Sequence, residues 1–225
     1  MGDLQRLIAF DLDGTLIDSR RDLADSANQL ITELGGAPLS EDSIGRMVGE
    51  GASVLVQRAL AAAGIPDAPG TLPRFLEIYD RRLMNHTRPY EGIADAVAAA
   101  RRIARVIVLT NKPAAPSQEI LAAFALLELF DEVIGGDSSL PRKPDPAAFL
   151  SAMQRAGATP DRSLLVGDSP IDHETAVRAS SRCCLAAYGF GYLMFARERM
   201  RGDEWIAATP AELAGIFKRF TAATG

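Results

Sequence analysis

The stretch IAFDLDGTLID, residues 8–18, decides the fold of this chain, because an apolar run ends there in two aspartates one residue apart. Residues Leu7–Phe10 have the composition of a buried strand. Asp11 leaves this strand at its carboxyl end, Asp13 faces the same way if the chain stays extended, and Gly14 permits a tight turn. Open parallel sheets bind their ligands beyond the carboxyl ends of the strands. We therefore expect a functional site that begins with these two carboxylates.

Apolar runs and helical patterns alternate along most of the remaining chain. We predict strands over residues 106–109, 132–134, 164–166 and 183–187. We predict helices over residues 116–130 and 145–157, the first with a late start because of its proline. This alternation predicts an α/β fold, a doubly wound parallel sheet with helices on both faces.

One interval, residues 22–86, shows helical periodicity and no convincing strand pattern. Gly35-Gly36 is typical of the end of its first helix. We predict that residues 18–87 form a helical cap domain inserted after the first strand, and that residues 1–17 and 88–225 form the core domain. The linkers are expected at residues 17–21 and 86–91. The two apolar helix faces consist of Leu23, Ala27, Leu30, Ile31 and Leu34, and of Leu72, Phe75, Leu76, Tyr79 and Leu83.

The composition excludes several classes of partner. Lysine and arginine number 24 and aspartate and glutamate 29, so the net charge of −5 offers no basic surface for nucleic acid or an anionic membrane. The chain begins without a secretory signal and has no apolar run long enough to span a bilayer, which predicts a cytoplasmic protein. Cys183 and Cys184 are neighbours on one strand, so we expect them in the core without a disulfide. His86 and His173 are expected at the surface or in linkers.

Polar residues follow the later strands as well. Thr110, Asn111 and Lys112 follow the second predicted strand, and Lys143 lies in the loop after the third. Asp168 and Asp172 follow the fourth. Carboxylates gathered at one sheet edge repel one another unless cations compensate their charge. Lys143 supplies one positive charge, and a divalent ion that prefers oxygen ligands, Mg²⁺, is expected to supply the rest.

Simpler interpretations exist for these motifs. A calcium-binding loop needs its glycine at the sixth position, whereas Gly14 is fourth counted from Asp11. A capped, solvated turn explains one motif but not several motifs at equivalent strand ends. Asp172 either supports a metal or caps the helix that follows it, and one side chain can do both.

Four motifs in this order resemble those of the haloacid dehalogenase superfamily: DLDGTLID, TNKP, the lysine of RKPDP, and VGDSPID. Two further stretches, MVGEGASVLVQRAL and TRPYEGI, are similar to the phosphoglycolate phosphatase branch of that superfamily. The dehalogenase members lack the second aspartate of the first motif. The presence of Asp13 therefore disfavours cleavage of carbon–halogen bonds.

The resemblance implies a role for each motif residue. Asp11 is the nucleophile that takes up the phosphoryl group, and Asp13 is the general acid and base. Thr110, Asn111 and Lys143 bind phosphate. The simpler interpretation of Asn111, and of Lys112 beside it, is that they only line the pocket. The implied Mg²⁺ ligands are the Asp11 carboxylate, the Asp13 backbone carbonyl and Asp168, with support from Asp172.

The resemblance also implies a substrate. We expect a Mg²⁺-dependent phosphomonoester hydrolase, a monomer or homodimer, acting on a small phosphorylated metabolite, with 2-phosphoglycolate first. An inorganic pyrophosphatase or sugar phosphomutase of the same fold is the alternative, and a non-catalytic phosphometabolite-binding protein is a further one. The cap residues Arg46, Gly49, Glu50 and Gly51 are expected to select the substrate, although a plain flexible turn also explains the two glycines.

Overall fold

The computed structural model describes residues 5–195 and 200–223. Its strands are, in chain order, β1 Leu7–Phe10, β2 Ile17–Asp18, β3 Arg88–Pro89, β4 Arg105–Leu109, β5 Glu132–Ile134, β6 Ser163–Gly167, β7 Arg182–Ala186 and β8 Trp205–Ala207. Its α-helices are α1 Arg20–Glu33, α2 Glu41–Gly45, α3 Ala52–Ala62, α4 Thr71–Asp80, α5 Ile93–Arg101, α6 Ala114–Ala123, α7 Ala147–Ala156, α8 Pro170–Arg178 and α9 Leu213–Ala223.

A parallel sheet with the strand order β5-β4-β1-β6-β7-β8 organises the described residues. Strand β1 lies between β4 and β6, so the order of the strands reverses beside it. Loops that leave neighbouring strands in opposite directions open a crevice at such a point. The predicted α/β fold with a doubly wound parallel sheet is therefore confirmed, and the crevice lies at the carboxyl end of β1. The short strand β8 was not predicted.

Apolar side chains cover both faces of the sheet. Ile8 and Phe10 of β1 belong to the buried cluster that includes α5, α6 and α9. Leu7 and Ala9 belong to the cluster on the other face, with α7 and α8. A strand whose every residue is buried is typical of a parallel sheet between two helical layers. The predicted separation of the two cysteines is also confirmed, since Cys183 and Cys184 are free and buried on opposite faces.

Four helices, α1 to α4, lie between strands β2 and β3. The two strands pair antiparallel, with Ile17 opposite Pro89 and Asp18 opposite Arg88, so the chain enters and leaves this helical segment side by side. Asp22, at the start of α1, is 1% exposed and joins the two ends. Its carboxylate accepts hydrogen bonds from the His86 amide at 2.9 Å, and from the Thr87 amide at 2.7 Å and hydroxyl at 2.8 Å.

The helical segment packs on the rest of the molecule through apolar side chains. Ile44, Leu55 and Phe75 from this segment belong to the same buried cluster as Phe10 of the sheet. The predicted apolar face of α1 is buried except for Leu34, which is 45% exposed. The predicted end of that helix is confirmed: Leu34 follows its last residue, and Gly35 is left-handed with φ 84°.

The prediction for the helix after TNKP was wrong at both ends. Helix α6 begins at Ala114, two residues before Pro116. Proline is tolerated in the first turn of a helix, because the amide hydrogen that it lacks would have no partner within the helix there. The helix ends at Ala123 rather than at residue 130. Ala125 adopts a left-handed conformation there, with φ 55°, and a 3₁₀ turn follows at Leu127–Leu129.

The expectation for the two histidines was correct for one of them. His86 is exposed. His173 is 6% exposed on α8, where its Nε2 lies 2.6 Å from a carboxylate oxygen of Glu204. The surface prediction for His173 was therefore wrong. Glu204, 31 residues further along the chain, provides a hydrogen-bond partner for the buried imidazole ring. In the part of the chain that the structure describes, no helix is both long and apolar enough to cross a membrane.

Candidate active site

Asp11 continues the line of β1 into the crevice. Its amide donates a hydrogen bond to the Val166 carbonyl at 2.9 Å, so the pairing of β1 with β6 fixes its position. A tight turn over residues 12–17 follows and orients Asp13. Gly14 has φ 88°, and a Cβ there would lie 1.9 Å from a carboxylate oxygen of Asp168. The turn therefore needs glycine both for its conformation and for the space that Asp168 occupies.

Lys143 joins two of the predicted site carboxylates. Its ammonium donates to Asp11 Oδ1 at 2.8 Å and to Asp172 Oδ1 at 2.6 Å, and all three residues are buried. Burial alone would lower the pKa of Lys143, but the charges of Asp11 and Asp172 raise it above its ordinary value. The lysine is therefore a fixed positive charge beside the Asp11 carboxylate.

Asp172 also takes part in a helix cap. Ser169 precedes α8, and its amide and hydroxyl donate to Asp172 Oδ2 at 3.1 and 2.6 Å. The Asp172 amide in turn lies 3.4 Å from the Ser169 hydroxyl oxygen, which completes a capping box. The helix cap therefore uses Oδ2 of Asp172, and the hydrogen bond from Lys143 uses Oδ1. The capping interpretation of Asp172 therefore agrees with the geometry, and its support of a metal stays a proposal.

Three carboxylates converge at the carboxyl ends of β1 and β6. Asp11, Asp168 and Asp172 each offer one oxygen, and these oxygens lie within 4.8 Å of one another. Burial, together with the neighbouring Asp172 carboxylate, raises the pKa of Asp11 to about 7 despite Lys143. Burial and the charge of Asp11 also raise the pKa of Asp168 well above its ordinary value. With all three carboxylates ionised, the cluster would carry more negative charge than Lys143 balances.

The donor set of this cluster fits a small divalent cation. Carboxylate oxygens are the ligands that Mg²⁺ prefers, and they come from two strand ends that the sheet holds in place. Asp168 is fixed by a hydrogen bond of 2.7 Å from the Gly191 amide to its Oδ2. A divalent ion would counteract the burial and the carboxylate repulsion that raise the two pKa values. The cluster could therefore hold a divalent metal.

Asp13 has its own partners, which differ from those of Asp11. Lys112 donates to Asp13 Oδ1 at 2.7 Å and to Oδ2 at 2.9 Å. The Ser19 hydroxyl donates to Oδ1 at 2.5 Å. The Asp13 side chain is 13% exposed and thus reaches the crevice. The two aspartates of the first motif therefore face two different lysines.

Thr110 and Asn111 follow β4 and lie beside the aspartates. Thr110 is 4% exposed and its hydroxyl accepts a hydrogen bond from the Lys112 amide at 3.2 Å. The Asn111 side-chain amide donates to the backbone carbonyls of Gly49 and Lys143, both at 2.9 Å. Asn111 thereby connects the helical segment with the lysine loop. Its role toward phosphate stays a prediction, since both of its side-chain hydrogens already have acceptors.

A cavity of about 70 Å³ opens from Asp11 and Asp13 toward the helical segment. Of the four predicted cap residues, Gly49 and Gly51 line it, and Arg46 and Glu50 do not. Arg46 is exposed, and Glu50 pairs with Arg58 on α3. The structure thus brings two of the four cap positions together with the seven other predicted site residues, which are Asp11, Asp13, Thr110, Asn111, Lys143, Asp168 and Asp172. The lining residues are Asp11, Asp13, Leu23, Val48, Gly49, Gly51, Ala52, Leu55, Phe75, Leu76, Tyr79, Asp80, Thr110, Asn111, Lys112, Pro113 and Pro116.

A family model described as haloacid dehalogenase-like hydrolase matches residues 8–186, which include Asp11, Asp13, Asp168 and Asp172. The chain belongs to this family. The resemblance drawn from the four motifs is confirmed.

Several known proteins are similar to this hydrolase. The phosphoglycolate phosphatase of Pseudomonas putida is 40% identical over 200 residues, which cover 85% of this chain and 72% of that protein. The protein of the same name from Rhodospirillum rubrum is 39% identical over 196 residues, which cover 83% and 81%. The crystal structure of a predicted phosphoglycolate phosphatase from Haemophilus somnus matches with a TM-score of 0.86 at 31% identity, over 96% of this chain and all of that one.

Sequence reasoning missed some residues of the site of this hydrolase. Ser169 carries a recognisable signal, since a serine three residues before an aspartate at a helix start is typical of a capping box. Ser19, which contacts Asp13, and the Gly191 amide, which contacts Asp168, show no such sequence signal, because only the folding of the chain brings them to their partners. Tyr79 was assigned only to an apolar helix face. The residue nevertheless lines the cavity, which a helical pattern alone does not reveal.

Proposed function

We propose that this protein is a phosphatase that hydrolyses a small phosphomonoester, with 2-phosphoglycolate as the leading substrate. The observation that carries the proposal is the pair Asp11 and Asp13 at the mouth of β1, each beside its own lysine. The names of the similar proteins supply the substrate. The fold alone would suit other phosphoryl-transfer reactions equally well.

Two steps follow from the two aspartates. In the first, a carboxylate oxygen of Asp11 attacks phosphorus, the ester P–O bond breaks, and Asp13 gives its proton to the departing alkoxide. In the second, water attacks the aspartyl-phosphate, Asp13 takes the proton of that water, and the P–O bond to Asp11 breaks. The products are inorganic phosphate and the free alcohol. Lys143, 2.8 Å from Asp11, balances negative charge during the attack.

We propose Mg²⁺ as the metal. The Asp11 carboxylate, the Asp13 backbone carbonyl and Asp168 would hold it, with Asp172 in support. When bound, it supplies positive charge that screens the phosphate from the Asp11 carboxylate. Thr110 and Lys143 are proposed as phosphate-binding residues, because both are buried, Thr110 shares the cavity with Asp11, and Lys143 donates a hydrogen bond to Asp11. Asn111 is proposed with them, through its position between Gly49 and Lys143.

The remaining parts of the proposal concern organisation. We propose that residues 18–87 are a cap domain and residues 1–17 and 88–225 the catalytic core. Gly49 and Gly51 support a role of the cap in substrate selection because they line the cavity. Arg46 and Glu50 are retained as predicted selection residues, although neither lines the cavity. A cytoplasmic monomer or homodimer is proposed, in keeping with two free, buried cysteines.

A screen of small phosphate esters with the purified protein tests this function. We expect Mg²⁺-dependent phosphate release, highest for 2-phosphoglycolate, and loss of release in excess chelator. Pyrophosphate as the best substrate would instead favour a pyrophosphatase. Conversion of a sugar phosphate into its isomer without phosphate release would favour a mutase. Binding of esters without release from any of them would contradict an enzymatic function.

A further inference from the structure

The loop that follows strand β7 packs its backbone directly against Asp168. We call residues 188–191 the β7 loop. The Gly191 amide donates to Asp168 Oδ2 at 2.7 Å, and a Cβ at Gly191 would lie 2.9 Å from the same oxygen. A Cβ at Gly189 would lie 2.3 Å from the Asp168 Cβ and 2.2 Å from the Gly14 carbonyl oxygen. The direction in which the Asp168 carboxylate points therefore depends on where the β7 loop lies.

Tyr188, the first residue of the β7 loop, joins this loop to the turn of the first motif. Its hydroxyl donates a hydrogen bond to the Thr15 carbonyl at 3.0 Å. Thr15 belongs to the turn over residues 12–17, whose Gly14 also lies against the Asp168 carboxylate. The hydrogen bond of Tyr188 thus connects the two pieces of backbone that touch Asp168.

Tyr90 supports Tyr188 from the linker that leaves the helical segment. It directly follows strand β3, and its amide donates to the Leu16 carbonyl at 3.1 Å. Its ring meets the Tyr188 ring edge to face, with 4.9 Å between the ring centres and 67° between the planes. Aromatic pairs in this geometry contribute about 0.5–1.5 kcal/mol beyond the area that they bury. The pair therefore restricts the position of the Tyr188 ring.

The hydroxyl groups of both tyrosines stay protonated. Burial raises the pKa of Tyr90 and of Tyr188 above the ordinary value of 10.0, and the charge of Asp168 adds to the increase. Tyr188 therefore keeps the hydrogen that it donates to the Thr15 carbonyl.

We propose that Tyr188, supported by Tyr90, is a positioning residue of the metal site, because it fixes the β7 loop against Asp168. This inference rests on the proposed Mg²⁺ site and adds two residues that lie outside the four sequence motifs. Loss of a group that orients a metal ligand typically weakens metal binding about 10–100-fold. Tyr188 acts on Asp168 through the Gly191 amide, so we expect an effect of about fivefold or more.

Titration of the metal-free protein with Mg²⁺, followed by calorimetry, tests the role of the tyrosine pair. Tyr188→Phe keeps the ring contact and removes the donor to Thr15, and Tyr90→Leu removes the ring contact. Each should raise the Kd for Mg²⁺ at least about fivefold. The matched control is Tyr192→Phe, whose ring stacks on Phe195 in the same stretch of chain, and its Kd should stay within twofold of wild type. A Kd of Tyr188→Phe within twofold of wild type would overturn the inference.

A pair of glycine variants tests the contact between the β7 loop and Asp168. Gly191→Ala places a methyl group 2.9 Å from Asp168 Oδ2, so the carboxylate must move, and we expect the Kd for Mg²⁺ to rise at least about tenfold. Gly215→Ala on helix α9 is the control, because a Cβ there meets no atom within 4 Å. An unchanged Kd in Gly191→Ala would overturn the inference.

Three further measurements separate positioning from a structural role and from failure of the proposed metal site. Thermal unfolding of the metal-free Tyr188→Phe variant, followed by circular dichroism, reports stability alone. A lower Tm with an unchanged Kd would overturn the inference. Half-maximal phosphate release by this variant should need at least about fivefold more Mg²⁺ than wild type. A lower kcat at saturating Mg²⁺ with an unchanged Kd would mean that Tyr188 acts through the Asp13 turn, and the inference would be wrong. If the wild type binds no Mg²⁺, the proposed metal site falls and the inference falls with it.

Discussion

The carboxylate of Asp11 lies among groups that act on it in opposite directions. Burial and Asp172 disfavour its charge, whereas Lys143 favours it, and the result is a pKa of about 7. A nucleophile must be ionised to attack phosphorus. A metal ion in the carboxylate cluster would favour that ionised form. Burial, Asp172 and Lys143 therefore together determine the charge of Asp11 when no cation is bound.

Replacement of the nucleophile gives the first prediction. Asp11→Asn keeps the size of the side chain and removes the anionic oxygen, so phosphate release should fall by at least about a thousandfold, or about 4 kcal/mol of activation free energy. The variant should still unfold cooperatively by circular dichroism. Asp161→Asn, at an exposed position, is the matched control and should retain wild-type turnover. Turnover of Asp11→Asn within tenfold of wild type would remove Asp11 from this role.

The pKa of Asp11 gives a second prediction, on metal and pH. Because the folded-state pKa of about 7 exceeds the ordinary 3.8, ionised Asp11 disfavours the metal-free fold, and the stability present below pH 4 is lost as the pH rises through 7. Mg²⁺ should relieve this repulsion. The rise in Tm on adding Mg²⁺ should therefore be larger at pH 8 than at pH 5.5, as measured by differential scanning fluorimetry. Equal rises at both pH values would contradict the metal assignment.

At the scale of elements, two helix ends share an unusual feature. Helix α6 is followed by Ala125 with φ 55°, and the Leu126 amide donates to the Leu121 carbonyl at 2.8 Å. Helix α8 is followed by Ser180, also with φ 55°, and the Ser181 amide donates to the Ala176 carbonyl at 2.9 Å. Both are Schellman motifs in which a side chain occupies the left-handed position that glycine usually takes.

The third prediction concerns one of these positions. A left-handed residue with a Cβ is unfavourable by about 1–2 kcal/mol, and glycine loses about 0.5–1 kcal/mol more chain entropy on folding. Ser180→Gly should therefore stabilise the protein by about 0.5–1 kcal/mol, as measured by urea unfolding. Ser180→Ala keeps the Cβ and serves as the control, with no gain expected. A loss of stability in Ser180→Gly would show that the serine side chain matters more than the backbone strain.

These helix ends also explain what the sequence could predict. The end of α1 was predicted because Gly35 carries the signal for a left-handed residue. The end of α6 was missed because Ala125 carries no such signal, and the burial of Leu126 is a tertiary effect. The carboxylate cluster was predictable since each member follows a strand of a parallel sheet. The contacts of Ser19 and Tyr79 were not, because they depend on how the helical segment folds back over the sheet.

At the scale of the whole molecule, Asp22 holds the two ends of the helical segment together. Its buried carboxylate accepts three hydrogen bonds from His86 and Thr87, which are more than 60 residues away along the chain. Apolar contacts join the same segment to the sheet. The cavity between the helical segment and the sheet thus depends on two sets of contacts. One is the set of hydrogen bonds from His86 and Thr87 to Asp22, which we call the clasp, and the other is the continuous apolar core.

Removal of this clasp is the fourth prediction. Asp22→Ala leaves two amides and a hydroxyl without acceptors in a buried place, so we expect a loss of about 3 kcal/mol in the free energy of unfolding. A loss of this size corresponds to a drop in Tm of about 6–12 °C. Asp25→Ala, one turn further along α1 and 41% exposed, should change stability by less than about 0.5 kcal/mol. Equal effects of the two substitutions would mean that the clasp is not stabilising.

The pairing of β2 with β3 has a mechanical consequence. A ribbon of two hydrogen-bonded strands bends readily out of its own plane, but bending within that plane would stretch one strand against the other. We therefore expect the helical segment to swing about a single hinge axis across Asp18 and Arg88. Along such an arc Gly49 moves toward or away from the Asn111 amide, which holds its carbonyl at 2.9 Å in this structure. The hydrogen bond from Asn111 to Gly49 would then stabilise the position in which the helical segment lies over the site.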